Sequence, residues 1–267
     1  EGGPPRPPDQ QPTVPPYLIY LNNDPAAPYM PPKPAGLLVN GSFGAFRILE
    51  QDVVGFENLL KEHSNQIDPE ELAAKMCGRW RTGTPLALSP DSELPVPPET
   101  EINNYDYITY PVGAGDAQGL RCPIGSHMRR NNPRSEDVAG DAHGHRITRR
   151  AIPYGPAYDP NKPYDGIERG LVGFFIGAVL WNQFEFLMST WVNTGNFSIN
   201  SQPTGKDPVL GSNSADSSVF DIPQPTGNLS ITGFPRFVTT KGSAYCFFPG
   251  ITALKCIGGQ LSGAQCQ

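Results

Sequence analysis

The sequence is poor in charge and lacks any long apolar run. Charged residues make up only 17% of the 267 residues, and the formal net charge is −6. Because nucleic acid binding requires a cationic surface, this balance excludes nucleic acid as the main partner. The longest apolar run covers residues 171–181, well short of the ~20 residues that a membrane helix needs. These two absences argue against the DNA-binding and transmembrane classes.

Glycine and proline are abundant instead. The chain has 29 glycines and 31 prolines, about 22% of its residues against a usual share of about 12%. This composition predicts a turn-rich chain with a modest amount of regular structure. Proline removes an amide donor and fixes φ, and prolines dominate residues 1–34. We therefore expect residues 1–34 to be an extended segment that lies on a partner chain, with a short strand at 17–21, and residues 35–267 to form the folded domain.

Cysteines and glycosylation sequons favour an extracellular location. Three Asn-x-Ser sequons begin at Asn40, Asn196 and Asn228. The sequence starts at Glu1 without an initiator methionine, which is typical of a processed or partial chain. In an oxidising compartment an odd number of cysteines leaves one thiol free or paired with another chain. We expect a secreted, disulfide-containing glycoprotein. The five cysteines are Cys77, Cys122, Cys246, Cys256 and Cys266.

The spacing of apolar residues predicts an α+β fold. Asp52 and Asp68 are typical N-caps, and Pro69 suits the first helical position. The order of elements predicts an antiparallel sheet with helices packed on one face. Residues 203–225 are expected to be a polar loop. The predicted strands cover 42–49, 146–152 and 171–180, the predicted helices cover 52–63, 68–79 and 182–192, and a final hairpin joins 236–240 to 244–248 through residues 241–243.

Basic residues and histidines concentrate between residues 121 and 150. Clustered arginines favour an anionic ligand or a set of acidic partners, and a surface basic patch is the simpler alternative. His143 and His145 lie in a Gly-rich loop, so we expect both to be exposed to solvent; a His-x-His metal site is the alternative. The window contains Arg121, Arg129, Arg130, Arg134, Arg146, Arg149 and Arg150, together with His127, His143 and His145.

Several segments resemble one known family. Residues 122–134, Cys-Pro-Ile-Gly-Ser-His-Met-Arg-Arg-Asn-Asn-Pro-Arg, resemble the haem-ligand segment of the dye-decolourising peroxidase family. Residues 149–155, Arg-Arg-Ala-Ile-Pro-Tyr-Gly, are similar to the family's distal-arginine strand, and 168–171 to its next core strand. The similarity spans roughly residues 17 to 257 in the family's order, which makes it specific. It implies the C-terminal, haem-ligating half of a two-module fold, built on a ferredoxin-like antiparallel sheet.

The resemblance implies haem b as the cofactor and His127 as the axial ligand of its iron. An acidic partner on the other ring nitrogen would raise electron donation by the imidazole. Asp207 is the expected partner, with Asp216 and Asp221 as alternatives.

Two arginines receive roles from the same resemblance. Arg134 is expected to pair with a haem propionate, since its planar fork matches a carboxylate. Arg149 is expected over the distal face as a catalytic residue, where its charge stabilises the anion that develops as the peroxide O–O bond breaks.

The sequence departs from the family in one important respect. The family's distal acid comes from a Gly-x-x-Asp-Gly segment, which this sequence lacks, although a peroxidase needs a base to move the peroxide proton. We therefore expect a peroxidase subunit that uses hydrogen peroxide to oxidise dyes, phenols or similar bulky reductants, with the acid supplied by a separate N-terminal companion chain. A homo-oligomer is the alternative assembly. The alternative functions are a non-catalytic secreted haem-binding protein and a small-molecule or carbohydrate binder on a truncated scaffold.

Aromatic side chains are the remaining candidates for a role in oxidation. Trp181 and Trp191 stand among apolar neighbours and are expected to pack in the core. The better candidates for passing oxidising equivalents to surface substrates lie in predicted loops: Tyr105, Tyr107, Tyr154 and Tyr158.

Overall fold

The structure is a computed structural model that describes residues 16–21, 36–109, 115–135, 139–197 and 204–263. Most of the proline-rich segment 1–34 lies outside these residues, so its extended conformation stays a prediction. The strand expected at 17–21 is wrong, because Pro16–Leu18 form a short 3₁₀ helix instead.

The centre of the fold is a four-stranded antiparallel sheet with the order β2-β3-β1-β6. This order, with helical segments after β1 and after β3, is that of a β-α-β-β-α-β unit of the ferredoxin-like type. The predicted α+β fold with an antiparallel sheet is therefore confirmed. The strands are β1 (Ser42–Gln51), β2 (Thr148–Tyr154), β3 (Gly170–Gly177) and β6 (Val238–Phe248); β4 (Val219–Gln224) and β5 (Gly227–Thr232) form a separate hairpin.

The two predicted helices after β1 form where their capping signals stand. Helix α1 (Val53–Glu62) begins after Asp52, whose side chain accepts from the Gly55 N–H. Helix α2 (Pro69–Cys77) begins after Asp68, which accepts from the N–H groups of residues 70 and 71. These caps satisfy donors that have no partner within the first turn. Helix α2 ends at Gly78, whose φ of 99° suits glycine.

One face of the sheet, the inner face, packs against α1, α2 and the β4–β5 hairpin. Leu49 of β1 and Val238 of β6 supply the sheet side of this core. Full burial of each large apolar side chain stabilises the fold by about 1.5–3 kcal/mol. The helices and the hairpin contribute Leu59, Leu60, Leu72, Met76, Phe220, Ile222 and Ile231.

The opposite face of the sheet, the outer face, is apolar but only partly buried. Alternate residues of a strand point to opposite faces, and the pairing places Phe46 opposite Phe174, with ring centroids 5.0 Å apart. Phe248 adds a third ring, 5.5 Å from Phe174. Ile152 of β2 lies on the same face and is 73% exposed.

Two sequence predictions about the C-terminal strands are wrong. The expected hairpin at 236–248 is one continuous strand, β6, because this segment pairs with β1 along its whole length. Lys241 is the extra residue of a bulge opposite Ile48 and Leu49. The expected polar loop 203–225 contains β4, in which Phe220 and Ile222 point into the core.

Other elements differ in detail from their predictions. Strand β2 runs through Pro153, which an edge strand tolerates. The helix expected at 182–192 is present as two π-helical stretches, Trp181–Glu185 and Leu187–Trp191. Two short helices were not predicted, α3 (His127–Asn131) and α4 (Ile251–Ile257). In the described part of the chain, no helix has the length and apolar character needed to cross a membrane.

Candidate functional site

Helix α3 begins at His127, and two fully buried arginines hold it in place. Arg129 donates through Nη1 to Asp116 Oδ2 at 3.0 Å and to the Cys122 carbonyl at 2.7 Å. Its guanidinium lies 4.5 Å from the centre of the Tyr107 ring. Asp116 also accepts from the backbone N–H of Cys122. This ion pair therefore joins α3 to the loop that precedes it.

Arg130 anchors the other side of α3 to the chain before Asp207. Burial lowers the pKa of Arg130 to about 10, and the charge of Asp207 acts in the opposite direction. Of the roles predicted for the basic cluster, a surface patch is wrong for Arg129 and Arg130, which are buried. The predicted acidic partner is present for Arg129, which pairs with Asp116. Arg130 donates to the backbone carbonyls of Trp191, Thr194 and Gly205.

His127 and Asp207 lie together although 80 residues separate them in sequence. Asp207 is fully buried, and its Oδ2 lies 2.9 Å from His127 Nδ1. Its Oδ1 accepts from the N–H groups of Val209 and Leu210, both at 2.9 Å. Burial alone would raise the pKa of Asp207. The charge and hydrogen bond of His127 and the N–H of Leu210 lower this pKa by more than burial raises it, so it lies below its usual value. Asp207 therefore bonds to the histidine as an ionised carboxylate.

The second ring nitrogen of His127 is available. The side chain is 23% exposed, and its Nε2 makes no hydrogen bond to any described residue. An imidazole whose Nδ1 is fixed by a carboxylate and whose Nε2 is open is the donor arrangement of an axial iron ligand. These residues therefore fit a haem iron. Of the alternatives to Asp207, Asp221 bonds to Ser230 of β5 instead.

Arg149 lies on β2, on the inner face of the sheet. It is exposed, and its guanidinium makes no hydrogen bond to a described residue. Cys77, at the end of α2, lies close enough to feel the charges of both Arg149 and Asp207. Burial raises the pKa of the Cys77 thiol, the positive charges of Arg79 and Arg149 lower it, and the negative charge of Asp207 raises it. Arg149 and Asp207 are therefore both within electrostatic range of Cys77.

Arg134 is held by the backbone in this structure. Its φ of 62° is in the left-handed region, and Nη1 donates to the carbonyls of Asn103 and Tyr105 at 2.8 and 2.9 Å. The guanidinium also stacks 3.9 Å from the centre of the Tyr105 ring. The propionate contact expected for Arg134 stays a prediction.

The sequence missed or misplaced several residues around the site. His145 is buried and stacks on Phe186 with ring centroids 3.7 Å apart, so its expected exposure is wrong. Tyr105 and Tyr107 are buried rather than on the surface. Trp191 packs in the core as expected, but Trp181 is 62% exposed. The burial of an aromatic residue in a loop depends on distant segments, and no local pattern reveals it.

Three of the described cysteines are not in disulfides. Cys77, Cys122 and Cys246 have free thiols. Cys122 is fully buried, and burial raises its pKa to about 11. The predicted disulfide stays a prediction.

Comparison with known proteins identifies the family. No family model matches the chain. It is 36% identical over 256 residues to a dye-decolourising peroxidase of Exidia glandulosa, covering 89% of this chain and 48% of the relative. It is 33% identical over 246 residues to the dye-decolourising peroxidase AauDyP1 of Auricularia auricula-judae, covering 84% and 47%. The crystal structure of a fungal peroxidase of this type from A. auricula-judae superposes with a TM-score of 0.73 at 31% identity, covering 92% of this chain and 57% of that one.

The chain belongs to the dye-decolourising peroxidase family. The resemblance seen in the sequence is thereby confirmed. The chain spans about half the length of the curated dye-decolourising peroxidases that it matches.

Proposed function

We propose that this chain is the haem-ligating part of a peroxidase that uses hydrogen peroxide to oxidise dyes, phenols or similar bulky reductants. The observation behind this proposal is the His127–Asp207 pair, with Nδ1 bonded at 2.9 Å and Nε2 open. Membership of a peroxidase family supports the same conclusion. When bound, haem b supplies the iron at which peroxide is reduced.

His127 would hold the haem iron through Nε2, while Asp207 would keep the proton on Nδ1. The buried carboxylate fixes both the tautomer and the ring orientation, because its other oxygen is bonded to two backbone N–H groups. Arg134 is the residue we assign to a propionate.

Arg149 serves the opposite side of the site. Its guanidinium has no carboxylate or carbonyl partner among the described residues, so its charge is available to a developing oxygen anion. The acid that moves the peroxide proton comes, in this proposal, from a separate N-terminal companion chain. One observation supports an acid from outside these 267 residues: the sequence has no Gly-x-x-Asp-Gly segment.

The outer face of the sheet is the surface we assign to this companion. It carries the half-buried aromatic rings of Phe46, Phe174 and Phe248 and the exposed side chain of Ile152. An apolar sheet face that is only partly covered is typical of an interaction site. The protein is further proposed to be secreted; the asparagines of two sequons, Asn40 and Asn228, are exposed, and Ser198 of the third lies outside the described residues.

Haem titration tests the ligand assignment. The chain titrated with haemin should develop a Soret band that saturates near one haem per chain. His127→Ala should lose this band, because no other side chain replaces the imidazole. His63→Ala is the matched control and should keep it, since His63 caps α1 and bonds to Thr232. An unchanged Soret band in His127→Ala would refute the assignment.

Intact-mass measurement of the protein from its natural source tests the companion. We expect a second chain that contains a Gly-x-x-Asp-Gly segment and co-purifies with peroxidase activity. Full activity from this chain alone, or from its homo-oligomer, would contradict the companion. Haem without any peroxidase activity in the intact assembly would favour the non-catalytic alternative.

A further inference from the structure

Asn131 shares the carboxylate oxygen that binds the histidine. It lies one helical turn after His127 in α3, so its amide reaches back along the helix. Its Nδ2 donates to Asp207 Oδ2 at 3.0 Å and to the His127 carbonyl at 2.8 Å. Oδ2 therefore accepts from two donors at once, His127 Nδ1 and Asn131 Nδ2.

The carboxylate does not depend on Asn131 for its orientation. Oδ1 is bonded to the N–H groups of Val209 and Leu210, and Asn213 Nδ2 donates to the Asp207 carbonyl at 2.8 Å. Loss of the Asn131 amide would leave these three bonds in place. The effect of Asn131 on Oδ2 is therefore electronic rather than a matter of holding the loop.

A second donor changes how strongly an oxygen accepts from the first. Hydrogen bonds to a carboxylate stabilise its charge and lower its basicity. With Asn131 present, Asp207 attracts the Nδ1 proton of His127 less strongly, so the imidazole has less negative charge to donate through Nε2. Neighbouring hydrogen bonds of this kind tune the potential of a ligated iron.

We propose that Asn131 is a positioning residue that weakens the hold of Asp207 on the Nδ1 proton and thereby limits electron donation by His127 to the haem iron. This inference rests on the proposed function. It adds that Asn131, a neutral residue of α3, helps to set the reduction potential of the iron.

The test replaces Asn131 by a residue of similar size without a donor. Asn131→Leu, reconstituted with haemin, should show a higher iron–histidine stretching frequency in the resonance Raman spectrum of the ferrous protein, and a lower iron midpoint potential. Asn131→Ala is a second variant in case leucine disturbs folding, and it should shift both readouts in the same direction. Asn213→Leu is the matched control, because Asn213 bonds to the Asp207 backbone and not to the carboxylate; it should shift neither.

Each outcome separates the inference from the proposed function. If the parent chain shows no iron–histidine band, the ligand assignment fails and the inference fails with it. If the parent chain shows the band but both Asn131 variants leave frequency and potential unchanged, only the inference is overturned. A shift to lower frequency would also overturn it, since the amide would then strengthen donation by His127. An equal shift in Asn213→Leu would overturn it too, since Asn131 would then only support the loop.

Discussion

Helix α3 and strand β2 hold His127 and Arg149, the two residues on which the proposed site depends, in very different ways. At α3, Asp207 is fully buried and accepts four hydrogen bonds, and two buried arginines secure the surrounding loops. At β2, Arg149 is exposed and has no side-chain partner among the described residues. Hydrogen bonds within the described part of the chain thus fix the position of His127 through Asp207. No such bond fixes the guanidinium of Arg149.

The largest effect on stability is expected at the arginine that anchors α3. Arg129→Met should lower the free energy of unfolding by about 4 kcal/mol, because it leaves the buried Asp116 carboxylate without its charged partner. Urea denaturation measures the change. Arg81→Met is the control: Arg81 pairs with Glu57 and Glu70 but is 48% exposed, so its loss should cost less than about 1 kcal/mol. Equal losses would mean that the α3 anchor is no stronger than a surface ion pair.

Removal of the Asp207 carboxylate should have the next largest effect. Asp207→Ala should cost about 3 kcal/mol, since the N–H groups of Val209 and Leu210 lose their acceptor together with the histidine. Thermal denaturation measures this loss of stability, with Asp221→Ala as the control. The control removes only a surface hydrogen bond from Ser230, so its loss of stability should be less than about 1 kcal/mol. A small effect at Asp207 would show that the loop holds itself without the carboxylate.

The smallest effect on stability is expected at β2. Arg149→Leu should change the free energy of unfolding by less than about 0.5 kcal/mol, because the exposed guanidinium makes no hydrogen bond to a described residue. In the intact peroxidase the same variant should keep haem but react more slowly with peroxide in rapid-mixing experiments. Loss of haem, or an unchanged rate of reaction with peroxide, would contradict the distal role of Arg149. Arg149 and His127 would then no longer represent two sides of one site.

Local signals in the sequence predicted the helices and the sheet strands well. Asp52 and Asp68 begin α1 and α2 because a cap acts on its own first turn. The turn predicted at Lys241-Gly-Ser is wrong because a local signal does not reveal distant pairing. This segment pairs with β1, whose residues lie about 190 positions earlier in the chain. Burial of His145 against Phe186 likewise depends on a distant segment.

The site was predictable only in part. His127 and Asp207 were named through the resemblance to the peroxidase family, and the structure brings them to 2.9 Å. The roles of Arg129 and Arg130 were not apparent, because an arginine-rich window does not show which side chains point inward. Asn131 was missed because its effect depends on a side-chain rotamer that places one amide on an oxygen already in use.

The composition of β2 has a consequence for the solubility of the chain. An edge strand offers unpaired backbone groups that can template pairing with another molecule. Strand β2 places two adjacent positive charges and a proline along that edge, Arg149, Arg150 and Pro153. Like charges repel a second copy, and proline removes a donor from the ladder. We therefore expect Arg149 to disfavour pairing of this edge with a second copy of the chain, whatever its role toward peroxide.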